Sequence, residues 1–335
     1  MQIIINRAIL PEYNLAAEEY LTDTVAEDTF MLWRNASSVI FGRNQNPWAE
    51  LDLGFVKSHG IRAVRRMTGG GAVFHDLGNV NYSFIRLDGV KELDFASFIS
   101  SVIAALAKFG IKAEADGRND IIADGMKISG SAQLVKTRAD GREVQLHHGT
   151  LLFDADMTSL AGALRPSPAK LASKGIKSVR SRVGNIRTID GYHGPDTAEG
   201  FLYALEAAAA AEYGVTPREM TVAEKAGADA LADAKYRTWE WNYGASPQFD
   251  YEKTERTAAG TITVMLSAKA GRITKIKLYG DFFALSDISP LEDALIGAEL
   301  TPDGVTAKLR ESGITARDYI LSLADGELAA LIGGI

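Results

Sequence analysis

The sequence contains no cysteine. Disulfide bonds are therefore excluded, and so is any reaction that passes through a cysteine thioester, since such a reaction needs a thiolate nucleophile. A chain without cysteine is consistent with a reducing compartment, and we expect a cytoplasmic protein.

The sequence also lacks a long apolar run and an excess of positive charge. No uninterrupted apolar stretch approaches the roughly 18 residues of a membrane-spanning helix. The first residues show no basic segment followed by a long apolar one, so no signal peptide is predicted. The net charge of -7 disfavours binding to nucleic acid or to an anionic membrane. We expect neither partner, and a monomer is the default expectation.

What is present favours a globular protein of two domains. The chain has 335 residues, and single domains typically hold about 100–200. Hydrophobic residues make up 46%, which is enough to form two separate cores. Turn-forming residues cluster at positions 242–247. We therefore predict a larger domain over residues 1–246 and a smaller one over residues 247–335.

Apolar periodicity predicts several elements in the larger domain. Apolar residues at steps of three and four predict a helix over residues 95–109, which Gly110 ends. Further helices are predicted over residues 197–212, preceded by Asp196 and closed by Gly214, and over about 217–234, with Pro217 near its first turn. Short strands are predicted over residues 31–34, 38–41, 62–64, 81–86 and 149–153.

The smaller domain is predicted to be an α+β unit. Residues 260–268 and 272–278 alternate like paired strands around the turn at 269–271. Residues 291–300 and 316–331 are predicted to form amphipathic helices. This pattern of paired strands and following helices is typical of a small two-layer fold.

A glycine-rich segment, residues 65–76 (RRMTGGGAVFHD), is the first candidate for chemistry. Three consecutive glycines cost about 0.5–1 kcal/mol each relative to alanine in regular structure. Their exposed amides can hold phosphate oxygens, and Arg65 and Arg66 could add charge-assisted contacts. The segment matches neither a P-loop nor a dinucleotide fingerprint. The segment alone leaves two interpretations open, a phosphate-binding loop and a glycine-rich bend with surface arginines.

A predicted hairpin over residues 119–135 is the second candidate. Asp124 and Gly125 form a strong turn signal, and Lys127 follows it between apolar neighbours. A lysine held there could stabilise charge on both a carboxylate and a phosphate. The alternative interpretation is a solvated hairpin lysine.

Two further segments carry charge or potential metal ligands. His147 and His148 are adjacent, so on a strand they point to opposite faces, and we predict a strand beside the pocket and no metal site. Residues 165–190 are predicted to be mainly loop. Within them, residues 170–187 suit either a lid or docking surface or a solvated basic loop. The cations of that segment, which contains no acid, are Lys170, Lys174, Lys177, Arg180, Arg182 and Arg187.

Taken together and in this order, five segments resemble lipoate–protein ligases of the long bacterial type. The resemblance covers nearly the whole chain, and Met126 before Lys127 is one small departure from the Lys-Lys or Gly-Lys that the family often has. The matching segments are residues 65–79, 119–132, 148–152, 178–183 and 241–247.

The resemblance implies a fold, an activity and partners. The fold would be a large α/β catalytic domain related to the biotin ligases, followed by a small α+β accessory domain. The activity would be ATP-dependent formation of lipoyl-AMP, followed by transfer of the lipoyl group to a lysine. The cofactors would be ATP and Mg²⁺. The partners would be lipoic acid and the apo lipoyl domains of 2-oxoacid dehydrogenase complexes and of the glycine cleavage H protein.

The resemblance also implies roles for particular residues. Lys127 would be the catalytic residue and would contact both the acyl carbonyl and the phosphate. The predicted ATP-binding and adenylate-binding residues are Arg66, Gly71, Ala72, Val73 and Phe74, together with Lys127. The predicted substrate-binding residues are Lys127, Gly70, His75 and Asp120, of which Asp120 would also place Mg²⁺.

Other interpretations belong to different classes. A transferase that forms a cysteine thioester is excluded by composition. A biotin ligase is compatible with the fold, but its usual glycine- and arginine-rich signature is absent. A non-catalytic binder of lipoate or of a carrier domain stays open, and only an enzyme would release pyrophosphate from ATP.

Overall fold

The chain forms a large α/β part and a smaller α+β part in a computed structural model, which describes residues 1–87, 93–117, 119–164, 183–243 and 250–333. This architecture confirms the predicted fold class. The β-strands are β1 (Gln2–Ile5), β2 (Thr29–Trp33), β3 (Ser38–Phe41), β4 (Arg62–Arg65), β5 (Val73–His75), β6 (Asn79–Leu87), β7 (Ala113–Asp116), β8 (Asp120–Ala123), β9 (Met126–Thr137), β10 (Glu143–Leu152), β11 (Arg218–Glu219), β12 (Tyr251–Thr257), β13 (Gly260–Lys269) and β14 (Arg272–Gly280).

Helices cover the sheets. The α-helices of the described ranges are α1 (Pro11–Thr24), α2 (Pro47–Glu50), α3 (Leu53–Ser58), α4 (Phe95–Ala107), α5 (Met157–Ala163), α6 (Ala198–Tyr213), α7 (Val222–Leu231), α8 (Trp239–Asn242), α9 (Ser289–Ala294), α10 (Pro302–Ser312) and α11 (Asp325–Gly333). Short 3₁₀ helices span Ile186–Thr188 and Ala316–Asp318, and a π-helical turn spans Ala232–Tyr236. In the ranges that the structure describes, no helix is both long and apolar enough to cross a bilayer.

A mixed eight-stranded sheet is the frame of the large part. Its strand order is β11-β1-β2-β6-β10-β9-β8-β7. The β1–β2 and β1–β11 pairs are parallel, whereas β6, β10 and β9 form an antiparallel run at the centre. A smaller sheet, β4-β3-β5, packs beside it and carries both ends of the glycine-rich segment.

Apolar layers cover the large sheet on both faces. One core holds α4 and α6, and the other holds α1 and α7. Helix α4 begins after Asp94, which accepts a hydrogen bond from the Ser97 amide, and it buries Phe95, Phe98 and Leu106. Each such side chain contributes about 1.5–3 kcal/mol by its burial. The helix prediction over residues 95–109 is confirmed, with an end at Ala107.

The predicted turns are present where the sequence placed them. Asp124 and Gly125 have φ values of 49° and 71°, which is the left-handed pair that a two-residue hairpin turn requires. Gly214, with a φ of 65°, closes α6 as predicted, although Thr197 rather than Asp196 is the N-cap.

The helix predicted over residues 217–234 is wrong in its first part. Arg218–Glu219 instead pairs with β1 as a strand. Helix α7 begins later, because Thr221 and Glu224 form a capping box. The chain then passes into the π-helical turn Ala232–Tyr236. Pro217 therefore precedes a strand and not a helix.

The small part pairs β12, β13 and β14 around a core of its own. The predicted turn between β13 and β14 is confirmed. The helix predicted over residues 291–300 is too long, since α9 ends at Ala294 and Gly297 has a φ of 85°. The helix predicted over residues 316–331 is interrupted at Ser322, with a φ of 65°, and α11 begins at Asp325.

Two of the predictions lie outside the described residues. The basic segment 170–187 is described only from position 183, and the turn cluster 242–247 only to position 243. The position of the domain boundary stays a prediction.

Candidate functional site

A cavity of about 140 Å³ lies between the glycine-rich segment and the central strands β9 and β10. Seven of the nine residues predicted from the sequence line it, and the two that do not are Phe74 and Asp120. The seven are Arg66, Gly70, Gly71, Ala72, Val73, His75 and Lys127. The folded chain therefore brings the two separate motifs to one site.

Phe74 faces away from the cavity. Successive side chains of a strand alternate between faces, and on β5 the side chains of Val73 and His75 line the cavity. The Phe74 side chain is 2% exposed and packs in the core of the small sheet with Val39 and Phe41. Any ligand contact at this position therefore falls to its backbone.

Lys127 stands on β9 just after the hairpin turn. Its ammonium lies 2.7 Å from the carboxylate of Asp120, and its side chain is 36% exposed. A Cβ atom at Gly130 would lie 2.9 Å from the Lys127 nitrogen, so a glycine leaves room for the lysine. This ion pair gives the outer part of the cavity one charge of each sign.

Arg66 is buried beneath the glycine loop rather than exposed at its surface. Its guanidinium donates to the carbonyl oxygens of Ile40, Gly69 and Gly71 and to the Thr68 hydroxyl. Burial lowers the pKa of Arg66 to about 10, so the group stays positively charged at neutral pH. Arg66 therefore supports the loop from below.

A chain of buried polar contacts runs from Arg66 to helix α1. The Thr68 hydroxyl lies 2.7 Å from Nε2 of His148, and the Glu18 carboxylate lies 2.8 Å from Nδ1 of the same ring. Ser83 donates to Glu18 and accepts from Trp33 Nε1. Glu18 is fully buried, so its negative charge offsets that of Arg66 inside the protein.

Arg65 points away from the cavity. Its guanidinium donates to the carbonyl oxygens of Arg43, Gln45 and Trp241, at 2.6, 2.7 and 2.9 Å. Burial lowers the pKa of Arg65 to about 10. Its contacts connect the segment after β3 to α8, so Arg65 positions the backbone around the site.

The small part of the molecule reaches the glycine loop. The Gly70 amide, at a residue with a φ of 88°, donates to the carbonyl of Phe282 at 3.1 Å. The Phe283 ring lies 5.1 Å from that of Phe95 on α4 and is buried in the core of the large part. The two parts therefore share an interface beside the cavity.

The two histidines lie on opposite faces of β10, as predicted. His148 faces the cavity, whereas His147 faces α4 and stacks on Phe98 with ring centroids 4.6 Å apart. Burial holds the pKa of His147 well below its usual value. Among the residues that the structure describes, no group of three or more potential ligands could hold a metal ion.

Several lining residues were not predicted from the sequence. Leu15, Trp33 and Asn81 line the cavity, and Glu18 lies directly behind His148. Two adjacent acids in an otherwise apolar stretch, LAAEEY, were the available signal for a buried carboxylate on α1. The other three residues reach the site only through the pairing of distant strands and helices.

Two family models match the chain. The model described as lipoyl protein ligase A/B catalytic domain matches residues 10–206, and the model described as bacterial lipoate protein ligase C-terminus matches residues 246–332. The class of protein is thus a ligase with a catalytic part and a C-terminal part.

Two similar proteins are named as lipoate–protein ligases. Lipoate–protein ligase 1 of Staphylococcus aureus is 39% identical over 302 residues, which cover 89% of this chain and 90% of that protein. Lipoate–protein ligase LplJ of Bacillus subtilis is 38% identical over 328 residues, which cover 92% and 96%. The chain belongs to the lipoate–protein ligase family, and it is an enzyme.

Solved structures of similar proteins include ligand complexes. LipL1 of P. falciparum in complex with lipoate has a TM-score of 0.73, with 26% identity, and covers 92% of this chain and 94% of its own. A lipoate–protein ligase A bound with ATP has a TM-score of 0.59, with 27% identity, and covers 73% and 99%. A bipartite ligase from Thermoplasma acidophilum, described with its E2 lipoyl domain, has a TM-score of 0.61, with 28% identity, and covers 75% and 98%.

Proposed function

We propose that this protein uses ATP to convert lipoic acid to lipoyl-AMP and then transfers the lipoyl group to a lysine of a carrier domain. The observation that carries the proposal is that Lys127 and the glycine loop line one cavity, although 56 positions separate Lys127 from Gly71 in the sequence. The similar ligases whose structures contain ATP or lipoate support both substrates.

The first step forms a mixed anhydride. A carboxylate oxygen of lipoate attacks the α-phosphorus of ATP, and pyrophosphate leaves. Lys127 is the proposed catalytic residue, because one ammonium at the cavity mouth can stabilise charge on both the carboxylate and the phosphate. Its pairing with Asp120 holds it in place until the substrates arrive.

The glycine loop is the proposed site for the nucleotide. Backbone amides at Gly71, Ala72, Val73 and Phe74 are suited to phosphate oxygens, and Gly70 lines the same cavity. Arg66 uses four hydrogen bonds to support this loop. A guanidinium has five N–H groups, so Arg66 has at most one donor left for a phosphate. Arg66 therefore contributes mainly positive charge and the geometry of the loop.

Mg²⁺ is the proposed companion of ATP. Mg²⁺ usually binds substrate phosphates and only one or two protein carboxylates. Asp120, beside Lys127, is the carboxylate that would hold it, and this fits the absence of a larger ligand cluster among the residues described. The ion would neutralise phosphate charge.

The second step releases AMP. The amine of the carrier lysine attacks the acyl carbon, loses a proton and displaces AMP, so an amide forms. Positioning carries much of this step, and no protein nucleophile is needed.

The proposed acceptors are the apo lipoyl domains of 2-oxoacid dehydrogenase complexes and of the glycine cleavage H protein. The lipoyl domain described with the Thermoplasma ligase supports this class. We place the enzyme, as a monomer, in the cytoplasm.

Release of pyrophosphate tests the first step. We expect pyrophosphate from ATP only when lipoic acid and Mg²⁺ are both present, with lipoyl-AMP detectable by mass spectrometry. Binding of lipoic acid without pyrophosphate release would favour the non-catalytic binder. The buried Arg66, the glycine loop and Lys127 in one cavity favour the enzyme.

A further inference from the structure

The inner part of the cavity contains polar side chains that are not equally available to a ligand. Seven of them are less than 10% exposed, namely Trp33, Arg66, His75, Asn81, Ser131, His148 and Thr150. Arg66, Ser131 and Thr150 already donate to backbone carbonyl oxygens. Trp33 Nε1 already donates to Ser83 at 2.8 Å. Both ring nitrogens of His148 are engaged by other side chains. Trp33 and His148 therefore have no free ring nitrogen to offer.

His75 and Asn81 differ from these two side chains. Within the described residues, Nε2 of His75 and Nδ2 of Asn81 have no hydrogen-bond partner. The Asn81 side-chain oxygen accepts from Asn79 at 2.9 Å. A buried donor without a partner costs about 1–3 kcal/mol, so two such groups in one cavity wall point to a ligand that satisfies them.

A chain of asparagines determines which nitrogen of His75 carries the proton. Asn14 Nδ2 donates to the backbone carbonyls of Ala8 and Arg34, each at 2.9 Å. A carbonyl can only accept, so the orientation of the Asn14 amide is fixed. The same Nδ2 also lies 2.9 Å from Asn35 Oδ1, so its two hydrogens are shared among three oxygens. The Asn35 amide nitrogen is thereby turned toward His75.

The Asn35 nitrogen lies 3.0 Å from Nδ1 of His75. Two donors cannot share one hydrogen bond, so Nδ1 accepts and the proton of the neutral ring lies on Nε2. Burial and the nearby Arg66 lower the pKa of His75 to about 3, so the ring is neutral at physiological pH. His75 thus presents a fixed Nε2–H donor at the cavity wall.

The acceptor follows from the proposed function, on which this inference rests. In the proposed function the carboxylate of the acyl substrate lies at Lys127, whose side chain is 36% exposed. His75 lines the same cavity and is only 4% exposed, so we place the far end of the substrate against it. Lipoate ends in a ring with two sulfur atoms, whereas octanoate has the same carbon chain and no sulfur. Sulfur is a weak acceptor, and hydrocarbon is none.

We infer that His75 Nε2–H and the Asn81 amide recognise the sulfur ring of the substrate and so favour lipoate over octanoate. With lipoate both donors gain an acceptor. With octanoate they stay unpaired or retain a water molecule at the end of the chain. A site built to form a hydrogen bond discriminates against a substrate that lacks the partner group.

A pair of substitutions at one position tests this role. His75→Leu removes the donor, whereas His75→Gln returns an amide donor close to the place of Nε2. We expect His75→Leu to lower the ratio of kcat/KM for lipoate to kcat/KM for octanoate by about tenfold. Because sulfur is a weak acceptor, this change lies near the lower limit of what an unsatisfied buried donor costs. We expect the ratio to stay within about twofold of wild type in His75→Gln. Equal losses for both acids in both variants would show a merely structural role and overturn the inference.

A binding measurement separates this inference from the proposed function. In the wild-type protein labelled with ¹⁵N-histidine, NMR should show the Nε2–H form of His75, and lipoic acid should shift that signal more than octanoic acid does. An Nδ1–H ring, or equal shifts with both acids, would overturn the inference. If the protein turned over neither acid, the proposed function would fail while this titration still decided the role of His75.

Discussion

At the scale of single residues, Lys127 is the side chain on which the proposed chemistry depends most. Removing a group that stabilises developing charge costs about 100-fold to 1,000-fold in rate. We expect Lys127→Ala to reduce formation of lipoyl-AMP by at least about 100-fold while the protein stays folded, because the side chain is one-third exposed and not part of a core.

Lys136 provides a matched control for that substitution. It lies on the same strand and also pairs with an aspartate, Asp23, at 2.7 Å, but it is not part of the cavity wall. Lys136→Ala should keep near-normal activity in the same assay. Near-normal activity in Lys127→Ala would contradict the assignment.

The buried histidines make stability depend on pH. The pKa of His75 is about 3 in the folded protein, against an ordinary value of 6.5. The unfolded chain therefore binds a proton more readily between these values, and the free energy of unfolding falls as the pH drops from 6.5 toward 3. His147, whose pKa is also lowered, acts in the same direction.

Thermal melts at pH 7 and pH 5 measure this dependence. We expect the wild-type Tm to fall between the two, and to fall less in His75→Gln, which cannot take up the proton. An equal fall in both proteins would show that other groups dominate the acid response.

At the scale of elements, the glycine loop requires its backbone conformation. Gly70 has a φ of 88°, and a Cβ there would lie 3.0 Å from the Arg66 guanidinium and 3.3 Å from the Phe283 ring. An L-residue in the left-handed region costs about 1–2 kcal/mol. We expect Gly70→Ala to lower stability by at least that amount and to weaken adenylate formation.

Gly60 separates backbone strain from disturbance of the loop. It has a similar φ of 63°, but a Cβ there would meet no atom within 4 Å. Gly60→Ala should destabilise the protein by about 1–2 kcal/mol without affecting adenylate formation. Denaturant unfolding measures the stability of both variants. If both lost activity equally, the loss would reflect lower stability in general and not a disturbed glycine loop.

Local sequence signals predicted some elements well and others poorly. Helix α4 was predictable because an apolar stripe and a terminal glycine agree. Helix α1 was not predicted, since its buried face includes polar Asn14 and Glu18, which no apolar pattern shows. The strand at Arg218 was missed because its partner strand, β1, lies more than 200 positions away in the sequence.

The same distinction holds for the site. The glycine loop and Lys127 each carry a local signal, namely three glycines and a hairpin turn. Phe74 was included through the family resemblance, and strand alternation turns its side chain into another core. The contact from Phe282 to Gly70 joins positions more than 200 apart, and no local pattern could have shown it.

At the scale of the whole molecule, the two parts meet at the glycine loop. Removal of residues 248–335 deletes the Phe282 carbonyl that accepts from Gly70 and the Phe283 ring that packs on Phe95. We therefore expect unequal effects on the two half-reactions. Formation of lipoyl-AMP should lose more than transfer from preformed lipoyl-AMP, because the loop that holds the nucleotide loses its support.

The two half-reactions can be measured separately on the shortened chain. Pyrophosphate release reports the first, and carrier modification by added lipoyl-AMP reports the second, with circular dichroism as a check that residues 1–247 stay folded. Equal losses in both, or none in either, would count against a role for this interface.

We propose that this one protein both activates lipoic acid and attaches it to a carrier lysine. Mass spectrometry of an apo lipoyl domain incubated with the protein, ATP, Mg²⁺ and lipoic acid tests both steps together. We expect a mass increase of one lipoyl group on the carrier that requires both ATP and lipoic acid. An unmodified carrier, with neither lipoyl-AMP nor pyrophosphate formed, would contradict it.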